Sequence, residues 1–148
     1  MNDFERKDSD WLEKVIEIKR TSKKSKGGNR IGFSALVVAG NRQGKVGYAL
    51  EKASDVASAI RKGMKKAREI AIEVAIKNDT IISPLQIKYK ASRLVLKPAK
   101  PGTGLIAGSV IRAIAEAAGI KNLTAKIIGT GNKTINVQAI FKGFSSLS

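Results

Sequence analysis

A chain of 148 residues with 28 Lys+Arg against 12 Asp+Glu carries a formal net charge of +16, and it contains neither Cys nor His. That excludes a disulfide framework, a Cys/His zinc site, a catalytic thiol and imidazole acid–base chemistry. Hydrophobic residues make up 43%, too many for wholesale disorder, while no apolar run reaches the ~18 residues of a membrane span.

The opening stretch, MNDFERKDSD, is polar and acidic rather than basic and apolar, so residues 1–10 are expected to be a flexible N-terminus and not a signal peptide. The lack of Cys fits a reducing cytoplasm. A charge of this size points to a polyanion, with RNA or DNA first and an anionic membrane surface second. The charge is uneven. Residues 1–79 hold 18 basic and 11 acidic side chains, whereas residues 80–148 hold 10 basic ones and a single acid, Glu116.

Trp11–Lys19, with Ile16 and Ile18 alternating with charge, reads as a strand. Lys19–Arg30 contains six basic residues, Lys19, Arg20, Lys23, Lys24, Lys26 and Arg30, and no acid. Gly27-Gly28 lies inside this run. Glycine lets a backbone approach a phosphate closely, so the run reads as a phosphate-contacting arm rather than a merely solubilising loop. Ile31–Ala39 is rich in β-branched and apolar residues, Gly40–Gly44 has turn composition, and Lys45–Leu50 returns, which predicts a hairpin.

Ser54–Lys77 has Val56, Ile60, Met64, Ala67, Ala71, Val74 and Ala75 at helical spacing, with Ser54 or Asp55 available as N-cap. Glu69 and Glu73 are spaced for ion pairs with Lys65 and Lys77. The pattern breaks at Asn78-Asp79-Thr80, and an inter-unit link is expected near Asn78–Pro84.

Gln86–Lys90 and Arg93–Lys97 then read as strands. The Pro/Gly loop Lys97–Gly104 is expected to open a helix over about 105–118, with Gly119 as its stop. An anion site at that helix N-terminus would gain charge from Lys97 and Lys100. Leu123–Ile128 reads as a strand, Gly129–Asn132 as a turn, and Thr134–Leu147 as a last helix interrupted by Gly143.

Catalysis finds little support. No carboxylates pair at a useful spacing, Glu116 stands mid-helix where a solvated side chain is the default, and no cofactor or metal site is expected. The GxxxxGK[ST] phosphate loop is absent, and Gly102-x-Gly104-x-x-Ala107 lacks the acid of a dinucleotide fingerprint. Aromatic residues are 5% of the chain, fewer than single-strand stacking platforms carry, and Trp11, Phe33, Tyr48 and Tyr89 are expected to serve the core. Structured RNA or duplex, bound through backbone and shape, is the partner this composition favours, with DNA left open.

Certain strings are more specific. Lys26-Gly27-Gly28, Phe33–Val38, Gly44-Lys45-Val46-Gly47-Tyr48, Lys52-Ala53 and Ala59-Ile60-Arg61-Lys62 occur in order, followed by Leu96-Lys97-Pro98-Ala99-x-Pro101-Gly102-Thr103-Gly104-x-Ile106-Ala107-Gly108, Arg112-Ala113, Ala118-Gly119-Ile120, Ala125-Lys126 and Gly129. Over about residues 11–147 the chain resembles the bacterial small-subunit ribosomal protein five family.

The resemblance implies an α+β chain of two small domains. The first, 11–79, would be a double-stranded-RNA-binding-like βββα domain, and the second, 85–148, a βαβ-type domain. It implies a structural constituent of the small ribosomal subunit that binds 16S rRNA, touches ribosomal proteins four and eight, borders messenger RNA where it enters the subunit, and contributes to assembly and translational accuracy. It is not an enzyme by this reading. A free-standing duplex-RNA-binding or RNA-chaperone protein is the alternative.

By position, Arg20, Thr21, Ser22, Lys23, Lys26, Gly27 and Gly28 match the family's rRNA-binding loop, which borders the spectinomycin pocket; Lys24 and Arg30 join them as rRNA candidates through the basic run. Lys45, Lys97 and Lys100 are further rRNA candidates, and Gly104 and Arg112 match the contact with protein four. The chain departs from the family at Asn29, where Arg is usual, and at Ala49 and Glu51, which replace hairpin glycines.

Overall fold

Five consecutive residues of one strand, Ala35 to Ala39, are each at most 1% exposed. Side chains alternate between the faces of a strand, so a run buried throughout requires cover on both sides. This defines the architecture. The computed structural model describes residues 11–25 and 27–146, with backbone only at residues 23–25, 29 and 30.

Leu12–Ser25 (β1), Gly28–Gly40 (β2), Lys45–Ala53 (β3) and the short Ile72–Glu73 (β4) form the first sheet, in the order β1-β2-β3-β4 with all neighbours antiparallel. Helix α1 (Val56–Glu69) covers one face, where Ala35, Val37, Ala39 and Ala49 pack against Ala59, Met64 and Ala67. The approach is close: a Cβ at Gly47 would lie 2.0 Å from the Ala67 carbonyl oxygen. Asp55 caps the helix, its carboxylate accepting from the Ser58 backbone N–H at 2.9 Å. A small hairpin follows, Ile76–Lys77 (β5) pairing with Thr80–Ile81 (β6).

Leu85–Tyr89 (β7), Ser92–Pro98 (β8), Leu105–Ile106 (β9) and Leu123–Gly129 (β10) form the second sheet, in the order β7-β8-β10-β9. Within it only the β9–β10 pairing is parallel. Helices α2 (Ser109–Ala118) and α3 (Lys133–Ser145) fill the space between the two sheets. Leu36, Val38 and Val46 of the first sheet share one buried cluster with Leu94, Leu96, Ile114, Ile140 and Phe144. Among the described residues, no layer covers the outer face of the second sheet.

The expected α+β class and the order of elements hold, with four corrections. Helix α1 ends at Glu69, not Lys77. Beyond it Ile72, Val74 and Ile76 alternate with exposed Glu73 and Lys77, a period of two. The backbone joins the sheet edge instead, with Glu73 opposite Lys45 and the Val74 N–H donating to the Gly44 carbonyl at 2.7 Å. Glu73 and Lys77 are therefore in strands, not one helical turn apart.

The expected link 78–84 overlaps the tight β5–β6 hairpin. Asn78 and Asp79 hold φ of 55° and 63°, as a type I′ turn requires. Thr80 and Ile81 are buried.

The Pro/Gly loop does not open a helix. Leu105–Ile106 pairs with Leu123–Thr124 as a strand, and α2 starts only at Ser109 with Gly108 as N-cap. Gly119 does stop α2, at φ 96°.

Helix α3 runs through Gly143 without a break, because hydrogen there makes room for Ile87, whose Cδ1 would lie 2.0 Å from an added Cβ. The fully enclosed core contains Phe144, with Phe141 beside it; Trp11, Tyr48 and Tyr89 are half-buried and pack against the core as expected, whereas half-buried Phe33 belongs to neither buried cluster. The Tyr48 and Phe141 ring centroids are 4.7 Å apart across the seam between the two halves. The expected flexible segment 1–10 and Lys26 lie outside the described residues.

Candidate nucleic-acid interface

The basic run is a β-ribbon, not a loop. β1 and β2 pair without interruption from Glu17↔Leu36 to Ser25↔Gly28, but β3 joins β2 only from Phe33 onward. Pairs from Thr21↔Gly32 to Ser25↔Gly28 therefore project past the sheet as two strands. A free two-stranded ribbon is marginal in water; this one is anchored by the sheet that continues it.

The ribbon collects the predicted residues. Arg20 and Ser22 are exposed and Thr21 is half-buried. The register sets Lys23 opposite Arg30 and Lys24 opposite Asn29. Gly27 and Gly28 complete the tip, and Gly28 holds a φ of 123° that L side chains rarely adopt. Among the described residues, nothing lies within 4 Å of a Cβ added at either tip glycine. Gly28 is therefore called for by backbone conformation rather than by packing, and Gly27 beside it leaves room for a close approach. Sequence patterning does not predict a strand here, because Thr21-Ser22-Lys23-Lys24-Ser25 has no apolar alternation.

Lys45 is not brought to the ribbon. It begins β3 beside the β2–β3 turn, at the opposite end of a 13-residue strand, roughly 40 Å away at ~3.3 Å per residue. Its N–H donates to Asn41 Oδ1 at 3.0 Å. Lys97 is exposed at the end of β8, and Lys100 is exposed in the loop that follows. Since that loop does not lead into a helix, the expected helix N-terminal anion site at Lys97–Gly104 does not form.

Gly104 is fixed from both sides. Its N–H donates to Asn122 Oδ1 at 2.9 Å, and its carbonyl accepts from Leu123 N–H at 3.0 Å. Arg112 is exposed on α2, with Nε donating to Glu116 Oε1 at 3.2 Å. Leu105, next to Gly104, and Glu116 line one groove of about 350 Å³ at the seam.

Glu116 is not the freely solvated side chain expected from its mid-helix position. Its carboxylate accepts from Lys14 Nζ of β1. The Lys14 ammonium holds its pKa below the ordinary value, assisted by Arg112 and opposed by partial burial. Lys14 lies 102 positions away, so no local pattern signals this pair. Next to it the Arg42 and Gly44 N–H groups donate to the Ala117 and Ala118 carbonyls at 2.9 and 2.8 Å. The turn of the first sheet thus satisfies the end of α2, whose last carbonyls have no partner within the helix.

These features define a class, the small basic α+β proteins in which two sheets share a helical middle layer and a charged β-ribbon extends from one of them. Residues 11–75 match the family model for ribosomal protein S5, N-terminal domain, and residues 87–148 that for ribosomal protein S5, C-terminal domain. The chain is similar to the small ribosomal subunit protein uS5 of Treponema denticola, 44% identical over 145 residues that span 98% of this chain and 84% of that protein. The uS5 of Syntrophobacter fumaroxidans is 46% identical over 92% of this chain and 82% of its own length. For Thermotoga neapolitana uS5 the figures are 44%, 93% and 78%. The chain belongs to the ribosomal protein S5 family, whose members are structural components of the ribosome and not enzymes.

Proposed function

We propose that this protein is a structural constituent of the small ribosomal subunit and that its β1–β2 ribbon holds 16S rRNA. The observation that carries this reading is the ribbon itself, which extends beyond β3 and gathers Arg20, Lys23, Lys24 and Arg30 around an unobstructed glycine tip. Lysine and arginine there neutralise phosphates and release condensed counterions, and the absence of side chains at Gly27 and Gly28 lets a phosphate or ribose come to close range. Lys97 and Lys100 supply a second point of attachment.

Residues 11–79 and 85–148 act as the two domains. The surface that presents Gly104 and Arg112 docks ribosomal protein four, with protein eight as a further neighbour and messenger RNA passing close by. The protein contributes in this way to subunit assembly and translational accuracy, in the cytoplasm.

Two measurements test this. The tagged chain should sediment with the small subunit at one copy per particle after a moderate salt wash; a chain that stays in the soluble fractions overturns the assignment. Lys23→Glu with Lys26→Glu should lower rRNA affinity and flatten its salt dependence by roughly 0.7–0.9 in log–log slope for each phosphate no longer neutralised. An unchanged slope removes the ribbon from the mechanism.

A further inference from the structure

The outer face of the second sheet carries cations that no acid of the sheet neutralises. Along β8, Arg93, Val95 and Lys97 alternate with buried Ser92, Leu94 and Leu96. Directly opposite residues share a face, so Lys88 of β7 and Ile128 of β10 flank Arg93, while Gln86 and Lys126 flank Val95. Lys88, Arg93, Lys97 and Lys126 are all exposed.

Their spacing is set by the ladder. Lys88 is directly opposite Arg93, at ~5 Å between Cβ atoms, and Lys126 is diagonal to both Arg93 and Lys97, at ~7–8 Å. The four cations make one continuous oblique track across β7, β8 and β10. Like charges directly opposite one another destabilise a sheet. The only acid in residues 80–148 is Glu116, which lies on α2 and is engaged by Lys14 and Arg112. The second half of the chain therefore supplies no countercharge for the track.

We infer that this open face, built on Lys88, Arg93 and Lys126, is a further RNA-backbone contact surface, distinct from the ribbon and continuous with the attachment point at Lys97. This rests on the proposal that the protein holds rRNA. Three observations favour an RNA backbone over an acidic protein. Protein interfaces are depleted in Lys at their centres, and three of the four cations here are Lys. The track runs along two open grooves, one of about 400 Å³ bordered by Lys88, Arg93 and Ile128 and one of about 230 Å³ bordered by Lys97 and Lys126, so cations line the concave surface where a phosphate backbone would lie. Among the described residues of β7, β8 and β10 no aromatic side chain stands on this face, since Tyr89 falls on the alternate side of β7, so contact is to phosphate and ribose rather than to stacked bases.

The test uses the full chain and 16S rRNA. In Lys88→Gln/Arg93→Gln/Lys126→Gln the strand alternation is kept and the repulsion is removed, so the thermal midpoint should be equal or higher. The log–log salt slope of binding should fall by roughly 2.1–2.7, from three phosphates at roughly 0.7–0.9 each. An unchanged slope in the folded variant overturns the inference. Failure to enter the subunit with an unchanged RNA slope also overturns it, in favour of an acidic protein partner.

The ribbon variant Lys23→Glu/Lys26→Glu separates the two readings. If only that variant changes the slope, the ribbon stands and the sheet face fails; if only the glutamine variant does, the reverse holds. A wild-type chain with no rRNA affinity overturns both. The chain has no Cys, so Thr124→Cys offers a single attachment point for a hydroxyl-radical cleavage reagent on this face. In the assembled subunit it should cut 16S rRNA at positions not cut from Gly27→Cys, and absence of RNA cleavage from Thr124→Cys overturns the inference.

Discussion

Lys14 on β1 and Glu116 on α2 form an ion pair between the first sheet and the helices of the second half, and Arg112 completes a three-residue cluster. The pair stands at the rim of a shared apolar core, with both side chains about one-third exposed. Its position orients α2 against the first sheet, and solvent screening limits what it contributes to stability.

The Lys14 ammonium depresses the Glu116 pKa, so the folded state favours the carboxylate. The sign follows: the stabilisation is fully present above the ordinary carboxylate pKa of 4.5 and is lost as the pH falls through the lower folded value. Glu116→Gln should cost about 1 kcal/mol or less at pH 7. The difference between the two proteins should shrink as urea unfolding is repeated at progressively lower pH below 4.5. A difference that grows on acidification would contradict the assigned pairing.

Gly119 performs two tasks at one position. Its φ is 96°, and a Cβ there would meet the Arg42 carbonyl oxygen at 2.2 Å. Gly119→Ala therefore combines left-handed strain of roughly 1–2 kcal/mol with a clash against the backbone of the β2–β3 turn. A destabilisation above about 2 kcal/mol is expected, and the amide resonances of Arg42 and Gly44, which donate to Ala117 and Ala118, should shift. Chemical denaturation and an amide correlation spectrum check both.

The buried polar pair in the second half is equally specific. The Ser92 hydroxyl donates to Asn136 Oδ1 at 2.7 Å, and Asn136 Nδ2 donates to the Thr130 carbonyl at 3.2 Å. Both residues are nearly inaccessible. Asn136→Ala removes both bonds and leaves a buried hydroxyl, so a destabilisation of about 1–3 kcal/mol is expected. Ser92→Ala with Asn136→Leu should cost less than Asn136→Ala if the desolvated hydroxyl is the main term, which thermal unfolding of the variants decides.

What the sequence disclosed follows from the range of each interaction. Strand β2 was legible as an apolar, β-branched run, but such a run does not say which layers cover it. Leu36 and Val38 face helices encoded more than 70 positions later, while Val37 faces α1. Helix α1 was legible from Asp55 onward, and its end was hidden because Ala71 and Val74 also fit a helical period. Only the pairing of Glu73 with Lys45 selects the strand. The site was legible as charge and glycine, but not as a ribbon, because a polar strand has no periodic signature. The open face of the second sheet was not legible, because Lys88, Arg93 and Lys126 read one strand at a time as ordinary solvated positions. Only the register of β7, β8 and β10 brings them onto one face.

Shared burial predicts shared unfolding. Leu36 is 1% exposed in the core common to both halves, and Val37 is buried in the smaller cluster under α1. Leu36→Ala should cost about 2–5 kcal/mol and lower a single cooperative transition observed by both Trp11 fluorescence and far-ultraviolet dichroism. Two separated transitions would mean that the seam does not couple the halves. An isolated 11–79 fragment should be less stable than the same segment in the chain, since Leu36, Val38 and Val46 lose their cover.

Gly28 tests whether the ribbon tip works by shape as well as by charge. Its φ of 123° is unfavourable for a β-branched residue, yet nothing among the described residues lies within 4 Å of an added Cβ. Gly28→Val should therefore leave the core intact, with a thermal midpoint close to wild type, while changing the path of the chain between Ser25 and Asn29. No charge is removed, so rRNA affinity should fall with an unchanged salt slope. Lys23→Glu/Lys26→Glu should lower both quantities, because it deletes phosphate neutralisation outright. If Gly28→Val binds as tightly as wild type, the tip contributes charge alone, and the paired glycines serve the turn rather than the contact with RNA.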